Sequence, residues 1–285
     1  VSATLANNAQ VTSSGHVTID AGSLLDQVSD ANSAAVGLIG DGASTALANS
    51  NTTIAARVGS GANITAERLS VLSTGTASNL AITTAGSGGL VSGSAAAPTT
   101  STRSSVSSVI GDNANVTLGT GLGLLTVSAT HTANPNTFVV TDSFGLIAGS
   151  GAVARNTIDV DVTTRLGDQD GDGAGAVITS KAATLAATNN VIKAAAPGNN
   201  IDGDAGGLAS FASSRSSISI DLATVVDIDN HTQLTTTDPN GTLKAKAFNA
   251  IDVTDDVALF TAGALSGAGA YIDLASPQLL AQIEV

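Results

Sequence analysis

Gly111-Asp112-Asn113-Ala114-Asn115-Val116-Thr117, followed after a short gap by Leu125-Thr126-Val127-Ser128-Ala129, is the stretch on which the fold reading turns. Its centre recurs upstream as Asn8-Ala9-Gln10-Val11-Thr12 and Gly61-Ala62-Asn63-Ile64-Thr65. The steps from Val11 to Ile64 to Val116 are 53 and 52 residues. Weaker copies stand at Ala176-Val177-Ile178-Thr179 and Thr232-Gln233-Leu234-Thr235. Self-similarity of this length marks a repeat architecture, in which each unit buries its apolar face only against its neighbours.

Three further families follow in the same order within each repeat. The second is Val17-Thr18-Ile19, Leu69-Ser70-Val71, Leu125-Thr126-Val127, Thr184-Leu185-Ala186 and Leu243-Lys244-Ala245. The third is Gly37-Leu38-Ile39, Gly89-Leu90-Val91, Gly145-Leu146-Ile147, Gly207-Leu208-Ala209 and Ala264-Leu265-Ser266. The fourth is Ile54-Ala55-Ala56, Val106-Ser107-Ser108, Ile158-Asp159-Val160, Ile218-Ser219-Ile220 and Ile272-Asp273-Leu274. Each alternates apolar and small polar residues, the mark of a half-buried strand, and Gly, Asn, Asp and Ser lie between them. The expectation is an all-β chain: a parallel β-helix, or solenoid, spanning 1–285 as one segment of five imperfect repeats of 52–62 residues. About two turns per repeat give about ten coils and a rod on the order of 50 Å long. Ser276-Pro277 either caps a short helix carrying Leu279, Leu280 and Ile283 or opens one more strand.

Composition agrees with thin, repetitive layers. Aromatic residues are 2% of the chain (five Phe, one Tyr, no Trp), too few to fill a thick core. Charged residues are 12%, about half the ordinary share. The net charge is −13, with seven acids in residues 1–142 and sixteen in 143–285, and no Lys/Arg-rich run exists. Nucleic acid and anionic lipid are therefore excluded as partners. No stretch of 18 or more apolar residues is present, so no membrane insertion of this segment is expected. Cys is absent, which removes disulfides and thiolate metal sites. Met is absent too, so Val1 is no initiator and the chain reads as a piece of a longer polypeptide.

The pattern Gly-Asp-x-Ala-x-Val/Ile-Thr followed by Leu-x-Val-x-Ala, clearest at Gly111–Thr117 and Leu125–Ala129, resembles bacterial filamentous haemagglutinin-type exoproteins of the leukotoxin-like branch. The resemblance runs through the repeats and covers essentially the whole chain. It implies a right-handed parallel β-helix, secretion through an outer-membrane partner, and an extracellular or bacterial cell-surface location. The family's N-terminal secretion domain is not recognisable; Asn134-Pro135-Asn136-Thr137 is similar to one of its motifs but sits inside a repeat and reads as a turn.

Among chemistry-bearing motifs, Gly167-Asp168-Gln169-Asp170-Gly171-Asp172-Gly173 matches the first half of a calcium loop. Acids at alternate positions converge on one cation and Gly permits the bend. Thr179 stands where the bidentate Glu belongs, so an EF-hand is out. Asp168, Asp170 and Asp172 then form either a solitary Ca2+ turn or a solvated acidic turn. Asn200, Asp202 and Asp204 repeat the spacing more weakly. Arg103, Arg155 and Arg215 each precede a fourth-family apolar residue by three. They form a docking stripe or a solubilising ladder paired with acids. Asn51, Asn63, Asn115, Asn230 and Asn240 head Asn-x-Thr triplets and read as turn or ladder asparagines.

His16, His131 and His231 lack companions at metal-ligand spacing, and no Gly-x-Ser-x-Gly joins a strand to a helix. Glu67 and Glu284 are the only glutamates. These features speak against an enzyme. The functional expectation is a structural shaft segment of a secreted adhesin or fibre that mediates cell-surface or matrix attachment, as in a biofilm. Its partners are further repeats of the same chain, head-to-tail or lateral copies, and a cell-surface or matrix receptor. The alternative is a self-assembling filament, sheath or surface-layer subunit with calcium-assisted assembly.

Overall fold

The computed structural model describes residues 1–119, 121–167, 174–194 and 200–284, and among them the chain is all-β with no helix. The first repeat supplies β1 (Ser2–Leu5), β2 (Gln10–Thr12), β3 (His16–Val36) and β4 (Ile39–Val58). The second supplies β5 (Asn63–Ala66) and β6 (Arg68–Ile110), and the third β7 (Asn115–Leu118) and β8 (Leu124–Leu166). The fourth supplies β9 (Val177–Ser180), β10 (Ala182–Lys193), β11 (Ile201–Gly206) and β12 (Ala209–Ile228). The fifth supplies β13 (Gln233–Thr236), β14 (Thr242–Val253), β15 (Val257–Ala262) and β16 (Leu265–Glu284). Residues 276–284 thus continue a strand, which decides the question left open at Ser276.

Every pairing is parallel and joins positions about one repeat length apart; β1 accordingly pairs with the end of β4, where Ser2 meets Ala55. Val11, Ile64, Val116, Ile178 and Leu234 align across the five-stranded sheet β2-β5-β7-β9-β13, as the first sequence family predicts. The remaining strands form an eleven-stranded sheet in which, for example, Val17 meets Leu69, Leu69 meets Leu125 and Leu125 meets Ala183.

This register corrects the expected coil count. A residue pairs with its counterpart one whole repeat away, as Thr18 does with Ser70, so each repeat is one layer and five layers span about 20–25 Å at the usual strand spacing. The ten-coil figure rests on about five short strands per repeat, separated by turns at Gly, Asn, Asp and Ser and taken three to a coil. Asn79, Gly86, Asn134 and Asn136 instead lie inside the 43-residue strands β6 and β8.

Within a layer the chain runs out along one arm, bends near residues 37–38, 89–90, 145–146 or 207–208, and returns along a second. The arms face each other: Ser73 and Ser108 hydroxyls meet at 2.7 Å, and Asn79 Nδ2 donates to Thr102 Oγ1 at 2.7 Å. The third family is therefore the bend. Its glycines are required there, because a Cβ on Gly89 or Gly207 would lie 2.2 or 2.0 Å from the carbonyl oxygen of the glycine in the preceding layer. The fourth family is out of register: Ile158 pairs with Thr102 and Ile220, whereas Ile54 pairs with Val106 and Val106 with Val162. The later, longer repeats shift the alignment.

The arms close at the short sheet through a turn that explains the recurrent motif. Asn8, Gly61 and Asn113 occupy the same place in three repeats, and all three are left-handed, with φ of 57°, 69° and 53°. The Ala that follows each is small enough to pass under the turn, and Ala62 and Ala114 are fully buried. Next comes the inward apolar residue (Ile64, Val116 or Ile178), which packs with Leu69, Val71, Leu125, Val127 and Leu185 in the main core.

Candidate functional site

Away from this apolar base, the space between the arms holds hydroxyls and amides interleaved with small apolar clusters such as Ala85, Ala96, Val139 and Ile201. Thr100 Oγ1 donates to Asn156 Oδ1 at 2.8 Å, and Asn156 Nδ2 donates to Thr137 Oγ1 at 3.2 Å. Near the bend, Ser143 Oγ lies 3.0 Å from Ser87 Oγ and 2.8 Å from Ser92 Oγ. All six side chains are buried. Strand alternation places every second residue here, and the narrow gap favours short side chains that bond across it.

Two basic side chains lie inside this gap, and little in the sequence marks either as buried. Lys193 is fully buried, occupies the position that Asn79 fills two layers earlier, and contacts Asp255 at 2.8 Å. Asp255 also accepts from the Ser216 hydroxyl of the returning arm, so one carboxylate ties two arms and two layers. The sequence signal was slight: Lys193 falls on the inward phase of β10, where its neighbours are Val191 and Ala187.

His131 is the second. Its ring is fully buried and neither nitrogen has a hydrogen-bond partner. Gly75 makes the room, since a Cβ there would come within 2.9 Å of His131 Cδ2. Burial lowers the imidazole pKa from 6.5 to about 4, only partly offset by the neighbouring Asn189 side chain. The ring is therefore neutral at pH 7. His16 instead bonds Ser70 at the surface, and His231 lies 3.4 Å from Asp229.

The sequence-derived candidates fare unevenly. Asp168, Asp170 and Asp172 lie outside the described residues. Asn200 is buried, takes the Asp256 backbone N–H and donates to the Thr137 carbonyl, which makes it a clamp between layers. Asp202 and Asp204 occupy outward positions of β11 beside Asp142 of β8. Burial and the neighbouring carboxylates raise the pKa of Asp142 and Asp204. Asp161 is raised in the same way, by burial and then by Asp159 and Asp221. Among the described residues no group of three or more His, Cys, Asp or Glu is arranged to hold a metal.

Arg103, Arg155 and Arg215 do not share one column. Arg103 stacks on Asp159 at 3.1 Å, and Arg215 bonds Asp273 at 3.2 Å while lying over the Tyr271 ring. Arg155 sits between Thr99 and Ser217. Two of the three thus join acids of the next layer, the solubilising arrangement. Asn63 and Asn115 are laddered on each other at the outer face of the short sheet.

The surface feature that stands out is the bend itself. Leu38, Leu90, Leu146 and Leu208 follow the bend glycines in four successive layers and are 75%, 51%, 49% and 60% exposed. Ile39, Val91, Ile147 and Leu265 are likewise exposed beside them. Set against family models, curated proteins and solved structures, the chain matches none of them.

Proposed function

We propose that the chain is a right-handed β-solenoid segment serving as structural shaft in a secreted bacterial surface adhesin or fibre, with no catalytic role. The observation that carries this reading is the parallel pairing that runs through all five repeats, with one register shift in it between Ser219 and Asp221 of β12 against β16. A chain built this way gains length by adding layers, and each added repeat extends it by about 4.8 Å. The haemagglutinin-like motif supplies the extracellular setting. Low charge, absent Cys and an interior of small side chains suit a rod that stores no chemistry and resists bending through backbone ladders.

The edges of β1, β3 and the part of β4 before residue 55 at one end, and of β14 and β16 at the other, present unpaired backbone groups, ready for further repeats of the same chain. The same edges support the second reading, a self-assembling filament subunit, because a head-to-tail contact does not close. Calcium held by Asp168, Asp170 and Asp172 would then assist assembly.

Negative-stain microscopy of residues 1–285 with calcium and with chelator tests the two. Short isolated particles under both conditions are the result expected of a shaft segment. Filaments that dissolve on chelation would replace that reading with the self-assembling subunit.

A further inference from the structure

The exposed leucines at the bend demand a reason. Elsewhere the outward positions of the arms are mostly Ser, Thr, Ala, Gly or Asn, and a Ser would turn the same corner as well as a Leu. The glycines before Leu90, Leu146 and Leu208 fix the bend by their close approach to the preceding layer, and that bend aims the following side chain outward. Four leucines stacked at the layer spacing, with Ile39 and Ile147 beside them, make a continuous apolar stripe along the edge of the molecule. With its flanking residues the stripe exposes on the order of 800 Å² of apolar surface, about what one partner contributes to a standard interface.

We propose that this stripe is a lateral dimerisation surface whose occupant is the same stripe of a second copy, the two copies lying side by side and parallel. This goes beyond the shaft reading, which needs only end-to-end continuity, though it rests on the stacked register used there. Two arguments select a second copy. A ladder with the pitch of a β-sheet meshes in every layer only with a ladder of equal pitch, and a second copy provides one. The charge pattern then selects the orientation. Acids flank the stripe unevenly: Asp142, Asp202 and Asp204 lie on the outgoing arms, and Asp41 lies on a returning arm. A two-fold axis along the stacking direction sets the outgoing arms of one copy against the returning arms of the other. Asp142 then faces the layer of Gly149, and Asp204 faces that of Phe211. An antiparallel pair would instead bring outgoing arm to outgoing arm, fourth layer against first, and crowd Asp202 and Asp204 toward Asp30 and Asp26 of the other copy. No Lys or Arg lies beside the stripe to offer an anionic lipid surface an alternative.

The absence of cysteine makes the test direct. Sedimentation velocity of the whole chain over micromolar to hundreds of micromolar should show a reversible dimer. Leu90→Asp/Leu146→Asp should shift it to monomer while leaving the thermal melt in place. Under mild oxidation, Leu90→Cys should form a disulfide-linked dimer many-fold faster than Thr130→Cys, which reports random collision from the outer face of an arm. A wild-type chain that stays monomeric throughout, or equal cross-linking of the two cysteine variants, would overturn the proposal. So would faster cross-linking in a mixture of Leu38→Cys and Leu208→Cys than in either alone, because that is the antiparallel pair. Flotation of a monomeric wild type, but not of Leu90→Asp/Leu146→Asp, with phosphatidylcholine vesicles would assign the stripe to a membrane and also sink it. Species larger than dimers that survive Leu90→Asp/Leu146→Asp report end-to-end assembly, so the shaft and filament readings are judged independently.

Discussion

The base of each layer and the arms that project from it solve the same folding problem with different interactions. At the base, three chain segments enclose Ile64, Val116, Ile178, Leu69, Leu125 and Leu185, all fully buried, and water is excluded by aliphatic volume. In the arms only two segments face each other, and much of the gap holds Asn79, Thr100, Thr137, Asn156 and the serines near the bend. There the free energy comes from backbone ladders and from polar pairs whose cost of separation exceeds their gain on formation. The base tolerates loss in proportion to volume removed, whereas the arms tolerate apolar replacement of a whole polar set far better than removal of one member. That asymmetry is the lesson, and substitutions can break it.

The largest effect is expected at the buried ion pair. Asp255→Ala would leave the Lys193 ammonium without its carboxylate, at a cost of about 3–5 kcal/mol. Lys193→Met/Asp255→Leu removes both charges and should recover most of that loss, since neither group then needs hydration inside the gap. Urea unfolding of the three proteins decides it. Equal destabilisation by the single and double replacements would mean that the arms, like the base, respond to volume alone.

Acidification gives the next effect. The neutral His131 ring is held at a pKa of about 4 against 6.5 for a free imidazole, so the unfolded chain binds a proton that the folded chain refuses. The stability linked to this site is complete above pH 6.5 and is lost as pH falls from there toward 4, to a total of about 3 kcal/mol. Asp142, Asp161 and Asp204 act with the opposite sign. Their raised values mean that the folded chain takes up protons first, so stability linked to them is gained as pH falls through those values. The measurement is therefore a difference. His131→Asn, which follows the Asn189 and Asn249 of the next two layers, should lose less stability than wild type between pH 6.5 and 4. Parallel pH curves for the two would show that His131 titrates as an exposed residue does.

The base was legible in the sequence and the arms were not. Where aliphatic residues must point inward against a third segment, as at Val11, Ile64 and Val116, the pattern is sharp and the register it implies is the one observed. In the arms the interior is as polar as the exterior, so alternation carries little contrast. Gly and Asn inside a strand then look like turns, which doubled the apparent number of coils and misplaced Ile158 and Ile218. The burial of Lys193 and His131 was illegible for a related reason. Their burial follows from their phase within a long strand, and that phase is fixed only once the bend glycines have set the layer. The bend leucines were seen as a family but read as a strand, because Gly-Leu-Ile carries the same alternation as the strands around it.

The smallest of the expected effects is also the most discriminating. Asn156→Ala removes the amide that Thr100 donates to and that donates to Thr137, leaving two buried hydroxyls short of a partner, for about 1–3 kcal/mol. Replacing the set together, as Thr100→Val/Thr137→Val/Asn156→Leu, leaves no buried polar atom stranded and should come close to wild-type stability. The column itself supports the exchange, because Ala48 pairs with Thr100 on one side and Ile218 with Asn156 on the other. Denaturant melts of the single and triple variants settle the matter. A triple variant that falls well below the single one would show that the polar network, and not the backbone ladder, holds the arms together.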